Sequence, residues 1–323
     1  MAGNSSATAD LEAALAGFVA ENRLPGGSAV VVCGCEIGWS AEVGLADVAA
    51  GRPAGPETLY RIASITKTFT GTAVMQLRDA GCLALDEPAV TYLPELRSAA
   101  NPFGPIEAVT IRRMLCHESG LAMDPPGTDW SVPRYQGSPE VTLANAADLA
   151  VKVAPESQHK YSDLAYQLLG EIVTRVSGIP YPRYVRESIL DPLGMSATGF
   201  EPLGEPLRDR CATGYDWPGL TGEFRPVPAM SPIWAEGGLW SRAADLATWI
   251  TFQLSAYQDA SAGAVVLASE SLREMHKPRY LADDSWTRAR GISWCGVRRD
   301  DHVWIQHATA GTVETKDVDF AGS

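Results

Sequence analysis

The chain has 323 residues, 46% hydrophobic and 20% charged, with a formal net charge of −13. This is ordinary globular composition with enough apolar material for a large core, and it excludes a low-complexity or fibrous chain. The acidity, and an Arg298-Arg299 pair followed at once by Asp300-Asp301, exclude a nucleic-acid surface. No apolar run approaches a membrane span.

Met1 to Asp10 is small and polar, with neither the basic n-region nor the apolar h-region of a secretion signal. The expectation is therefore a cytoplasmic chain. Asp10 to Glu21 reads as an amphipathic helix ended by Pro25-Gly26-Gly27. Ser28 to Cys33 and Trp39 to Gly44 read as a hairpin. A helix follows over Ile62 to Leu77, with Ile65, Phe69, Ala73 and Leu77 in one stripe and Gly81 past its end.

From Cys82 to about Pro232, helical segments alternate with long loops. Thr110 caps a short helix carrying Ile111, Met114 and Leu115. Ala144 to Val153 is another helix, and Asp163 to Val176 a third, closed by Gly178. The loops Asp124 to Gly137 and Asp216 to Pro232 hold Trp130, Tyr135 and Trp217, and Trp234 lies just beyond the second. Long irregular loops in compact proteins are often functional, so Trp130 and Trp234 are candidates for contacting a substrate as well as for local packing. Ala243 to Leu254 is helical. Ile292 to Val297 and His302 to Ala308 form an antiparallel hairpin turning at Arg299-Asp300-Asp301. Strands at both ends and helices between predict an α+β fold. One antiparallel sheet draws on residues 1–81 and 235–323 and is flanked by helices, and an all-helical domain covers 82–234.

Six cysteines do not read as a disulfide scaffold in a chain this long. Cys33, Cys35, Cys116 and His117 are the right types for zinc, but the usual Cys-x-x-Cys spacing is missing. Buried free thiols, and no metal, are expected.

Chemistry concentrates first in Ser64-Ile65-Thr66-Lys67. Residues three apart share a helix face, so the Ser64 hydroxyl and the Lys67 amine can meet. A serine is a weak nucleophile until a base takes its proton, and a partly desolvated lysine can be that base or tune it. The bland alternative is a helix cap and a solvated lysine. Ser157-Gln158-His159-Lys160 repeats the spacing, so the pattern alone is weak. The second element is Tyr161-Ser162-Asp163, opening a helix. An ammonium beside a phenol favours phenolate, which can take a serine proton and return it to a leaving group. The third is His307, near the end of the last predicted strand, where backbone amides can complete an oxyanion hole facing the Ser64 amide.

These three elements, in this order, resemble the signature of serine β-lactamases and penicillin-binding proteins. The class C β-lactamase group, with its DD-peptidases, D-aminopeptidases and carboxylesterases, is the most similar. Tyr60 to Thr70 is similar to that family's nucleophile segment almost residue for residue. Thr110 to Leu121, Leu164 to Gly178, Ile189 to Gly199 and Gly237-Gly238-Leu239 leading to Asp245-Leu246 also resemble it. The likeness runs over about residues 10 to 310. It implies a β-lactamase/transpeptidase-like fold, with the active site in the cleft between sheet and helical domain. It also implies Ser64 as acylated nucleophile, Lys67 as its activator and Tyr161 as general base and acid. The oxyanion would lie between the amide of Ser64 and one near Thr309. No cofactor is implied, and the partner is a small-molecule ester or amide. Oligomeric state is not legible.

Two departures stand out. Asp163 occupies the place of the family's usual asparagine. A carboxylate there keeps Lys67 charged and repels an anionic substrate, which favours a neutral ester or amide. The late-strand motif reads His307-Ala308-Thr309-Ala310-Gly311, with its glycine two positions late, and Thr312 to Ser323 does not read as the family's further strands. A serine hydrolase is the leading reading. A related acyltransferase and a ligand-binding member without turnover are the alternatives.

Overall fold

The computed structural model describes residues 4–128, 138–200, 203–204, 206–215, 226, 234–258, 266–281, 285, 287–299, 302–307 and 318–319. Helix α1 (Asn4–Glu21) leads into strands β1 (Gly26–Cys33), β2 (Glu36–Asp47), β3 (Arg52–Pro53) and β4 (Tyr60–Arg61). Helices α2 (Thr66–Asp79), α3 (Ala89–Tyr92), α4 (Ile111–Leu115), α5 (Pro139–Ala144), α6 (Asp163–Ser177) and α7 (Tyr181–Val185) follow. Then come strands β5 (Gly199–Phe200) and β6 (Leu239–Ser241), and helices α8 (Ala243–Leu254) and α9 (Ser269–His276). Strands β7 (Tyr280–Leu281), β8 (Arg288–Arg290), β9 (Cys295–Arg299), β10 (His302–Gln306) and β11 (Val318–Asp319) close the sequence. The class is α+β, with antiparallel strands, as expected.

α2 is the pivot. The sequence suggests one apolar stripe, yet the helix is buried on nearly every side, including Thr66, Lys67, Thr68, Thr70 and Thr72. Threonines are tolerated here because each hydroxyl finds a partner. Thr68 donates to the Ile65 carbonyl and accepts from the Trp249 indole, and Thr72 donates to the Thr68 carbonyl. Phe69 stacks on Trp249 with ring centroids 3.8 Å apart, fastening α2 to α8. One apolar core runs from Ile62 and Phe69 through Leu164 and Leu168 of α6 to Trp294 and Ile305.

Two glycines set how closely other chain approaches this pivot. A Cβ on Gly71 of α2 would lie 2.1 Å from the Ser293 hydroxyl oxygen, and one on Gly170 of α6 would lie 2.5 Å from the Ala235 Cβ. Bare backbone at these positions lets the turn before β9 and the segment before β6 close against the helices.

Two expectations fail. The N-terminal and late strands form separate sheets, β1-β2-β3 and β11-β10-β9-β8-β7, and a third small sheet runs β4-β6-β5. Among the described residues β1 pairs with β2 alone. A cavity of about 640 Å³ is lined by β1, Trp39, Trp249, Trp304 and His307. The second failure is the helix over Ala144 to Val153. α5 stops at Ala144, a single 3-10 turn covers Ala146–Asp148, and Ala150 and Val151 bridge to Ala100 and Leu121. Alanine-rich local preference yields there to backbone bonds such as Val151 N–H to the Ala100 carbonyl, at 2.9 Å.

Candidate active site

The approach to Ser64 is fixed by backbone pairing. β4 pairs with β6 through Tyr60–Ser241 and Arg61–Trp240, and the Ile62 amide donates to the Leu239 carbonyl at 2.9 Å. Ala63 then turns with φ of 41°, in the left-handed region that alanine avoids. A 3-10 turn, Ala63–Ile65, leads directly into α2, so Ser64 is no helix cap. Its hydroxyl oxygen lies 2.7 Å from the Tyr161 phenol oxygen and 3.0 Å from Lys67 Nζ.

Lys67 is fully buried. Its ammonium donates to Ser64 Oγ and to the Glu236 carbonyl oxygen, and it pairs with Asp163 Oδ1 at 2.6 Å. The rings of Tyr161 and Tyr166 lie 5.0 and 5.5 Å from the nitrogen. Burial alone pushes the amine's pKa down; the Asp163 carboxylate and Tyr161 reverse this and raise it above the ordinary lysine value. A lysine carries three donors and, while protonated, no acceptor. Charged and paired with Asp163, it can stabilise negative charge on Ser64 but has no lone pair with which to take a proton. Neighbouring side chains on α2 hold the same partner segment. Thr66 Oγ1 accepts the Leu239 amide at 3.1 Å, and Thr70 Oγ1 donates to the Ala235 carbonyl at 2.6 Å.

Tyr161 precedes α6, whose N-cap is Ser162. The Ser162 hydroxyl accepts the Ala165 amide at 2.9 Å and donates to the Ala122 carbonyl at 2.7 Å. The amides of Asp163 and Leu164 both donate to the Met123 carbonyl, at 2.7 and 3.0 Å. These bonds set both the phenol and the Asp163 carboxylate beside Lys67.

His307 ends the late strand and is buried. Its Nδ1–H donates to the Ser293 carbonyl at 2.7 Å, and the ring also meets the Ser64 backbone. Burial, then the nearby Lys67 charge, lower its pKa to about 3, so it is neutral. Ser293 has φ of 63°, and its hydroxyl donates to the Tyr166 phenol oxygen at 2.8 Å, the phenol's own hydrogen going to the Leu115 carbonyl at 2.7 Å.

Ser64, Lys67, Tyr161, Asp163 and His307 thus come together. Trp234 lines a cavity of about 230 Å³ with Gln167, Tyr181 and Glu236 on the flank of α6. Thr309 and Trp130 lie outside the described residues. The decoy Ser157-x-x-Lys160 sits in an exposed turn, its serine bonded to the Ala154 carbonyl. The zinc arrangement does not form: Cys33 and Cys35 are exposed, while Cys116 is buried and its thiol pushed up to about 12. Among the described residues no group of three or more His, Cys, Asp or Glu could hold a metal ion, and no helix is long and apolar enough to cross a membrane.

Residue-by-residue reading missed Ser293, Tyr166, Glu236 and the role of His117. Glu236 is buried, and its carboxyl is pushed up to about 7 chiefly by that burial. His117 alone left a signal, because it falls in the Thr110 to Leu121 stretch that resembles the family.

Comparison with other proteins shows the family and the fold. The sequence profile of the family described as Beta-lactamase matches residues 11–313. Protein Rv1367c of Mycobacterium tuberculosis (strain ATCC 25618 / H37Rv) is 34% identical over 264 residues, which cover 75% of this chain and 65% of that protein. The chain therefore spans a little under two-thirds of that relative's length. The octameric penicillin-binding protein homologue from Pyrococcus abyssi superposes with a TM-score of 0.77 at 28% identity, over 93% of this chain and 67% of that one. EstCE1, a hydrolase with promiscuous acyltransferase activity, superposes with a TM-score of 0.78 over 94% and 91% of the two chains, and at 20% identity it speaks for the fold alone.

Proposed function

The chain belongs to the beta-lactamase family, and on that premise we propose that it is a serine hydrolase cleaving a neutral ester or amide through an acyl-enzyme on Ser64. The observation that carries this reading is the three-way contact of Ser64 Oγ, Tyr161 Oη and Lys67 Nζ, at 2.7 and 3.0 Å from the serine oxygen. Tyr161 as phenolate takes the Ser64 proton, because Lys67 has no free lone pair. Ser64 Oγ attacks the carbonyl carbon, and the π pair moves to the carbonyl oxygen. The Ser64 amide and an amide near Thr309 hold that charge, while the Lys67 ammonium steadies Oγ as it ionises. Collapse breaks the bond to the leaving group, which takes the proton from Tyr161. Water then repeats the sequence on the acyl-enzyme, with Tyr161 again as base.

Asp163 selects the substrate class. Its carboxylate neutralises Lys67 at 2.6 Å, so the site offers no surplus positive charge to a substrate carboxylate. The test has two arms. Intact mass measurement after a fluorophosphonate is expected to show one adduct on the parent protein and none on Ser64→Ala; an adduct surviving that change removes Ser64 as nucleophile. Rates on p-nitrophenyl butyrate are expected to exceed those on a chromogenic cephalosporin. Asp163→Asn narrows that ratio by about tenfold, the worth of one ~1.4 kcal/mol charge contact. Faster cephalosporin turnover by the parent protein would overturn the neutral-substrate reading.

A further inference from the structure

We propose that His117 is a positioning residue, clamping the Tyr161 phenol against Ser64. The inference rests on the reading of Ser64 and Tyr161 given above and adds a residue to it. The backbone on both sides of Tyr161 is bonded to this one histidine: the Lys160 amide donates to the His117 carbonyl at 2.9 Å, and the Ser162 amide donates to His117 Nδ1 at 3.1 Å. Between these two bonds the imidazole lies flat against the Tyr161 ring, with centroids 4.4 Å apart and planes 29° apart. The histidine ring also lies near Tyr166, with centroids 5.1 Å apart and planes tilted by 40°. The phenol is therefore held at its backbone before, at its backbone after, and along its face.

Three further observations separate a clamp from a core filler. His117 has φ of 60°, an uncommon conformation for a side-chain-bearing residue, which sends its ring under Tyr161 while its carbonyl reaches Lys160. Because Nδ1 accepts a hydrogen bond, Nε2 carries the proton of the neutral ring, and this buried N–H has no partner among the described residues. An orphaned buried donor costs about 1–3 kcal/mol. An apolar ring would fill the same space without that cost, but would leave the Ser162 amide unbonded. An asparagine would bond that amide but give Tyr161 no face to lie on. Imidazole supplies both. Its neutral state is secured by burial first, and then by the charges of Arg290 and Lys67 and the neighbouring His159 and His307, which hold its pKa well below the ordinary value.

The experiment compares His117→Ala, His117→Asn and His117→Phe with the parent protein on p-nitrophenyl acetate. His276→Asn is the control, because His276 is also buried, bonded instead to Gln253 and Tyr257. Displacing a reacting group by about 1 Å costs roughly 10²-fold. His117→Ala is expected to lower kcat about 100-fold with KM within threefold. Asn and Phe each restore roughly a tenth of the parent rate, one through the acceptor and the other through the face. The control loses thermal stability and keeps kcat. The proposal is overturned if folded His117→Ala retains kcat within threefold, or if the three variants lose activity only in step with their folded fraction, as followed by circular dichroism. Should His117→Ala not fold, the Asn and Phe variants decide: parent-like kcat in both sinks the clamp. A parent protein inert to every neutral ester and to fluorophosphonate fails the hydrolase reading itself, an outcome distinct from an active parent indifferent to His117.

Discussion

The two walls of the site are built on different principles. On the helical wall, α2 and the start of α6 meet with nearly every polar group answered: Lys67 by three acceptors, Ser162 by a donor and an acceptor, Tyr161 by Ser64 and the His117 ring. On the strand wall, among the described residues, His307 follows β10 and is held by the Ser293 carbonyl and the Ser64 backbone. A wall whose polar groups are nearly all bonded to one another tolerates little error, although Ser64 and Tyr161 stand 97 residues apart in the chain. A wall brought from two hundred residues away depends on a few tertiary joints. Here the joint is a relay: Tyr161 lies on His117, His117 on Tyr166, and the Tyr166 phenol bonds Ser293, which carries His307.

The contrast can be broken from either side. The largest effect is expected from Tyr161→Phe, which keeps the ring against His117 and removes only the phenol oxygen bonded to Ser64. kcat/KM on a neutral aryl ester falls by about 10²–10⁴, the range of a lost general base, while the melting temperature is nearly unchanged. A loss below tenfold would return the base role to another group. Next is the joint itself. Gly71→Ala drives a methyl into the Ser293 hydroxyl, at 2.1 Å, and overpacking of this kind destabilises by about 1–3 kcal/mol in denaturant titration. An unchanged unfolding midpoint would mean the two walls are free of each other. The smallest effect sharpens the strand wall. Burial, then Lys67, hold His307 near a pKa of about 3, against 6.5 for the unfolded chain. The unfolded state therefore binds this proton first: the contribution is whole above pH 6.5 and drains as pH falls toward 3. His307→Gln is expected to remove about 1.4 kcal/mol per pH unit from the acid-side stability slope in that window. An identical slope in parent and variant would show that His307 is solvated.

What could be read from the chain divides along the same line. The Ser64–Lys67 contact was legible because residues three apart share a helix face, and Tyr161 joined the pair only through the resemblance to the family. Asp163 was legible as a departure, and its ion pair with Lys67 follows from charge. The envelope of α2 was not legible: its four buried threonines are anchored by acceptors such as the Ile65 carbonyl and by donors such as the Trp249 indole, some of them far away in sequence. Ser293 gave no signal, since a lone serine in a turn has no pattern, and its importance comes from Gly71 and Tyr166. The single sheet failed because alternating hydrophobicity marks strands but does not say which edges meet. Ala144 to Val153 failed because alanine content speaks for helix, whereas the backbone bonds to Ala100 and Gly120 are tertiary.

The left-handed turn at Ala63 gives this neighbourhood its mechanical character. An alanine resists that shape by about 1–2 kcal/mol, so the turn works like a spring held under tension by the strand pairing before it and the α2 partners after it. Any slackening of those restraints, by heat, denaturant or a distant substitution, lets the spring relax at the residue next to Ser64. The hydroxyl would then lose its aim well before the remainder of the molecule comes apart.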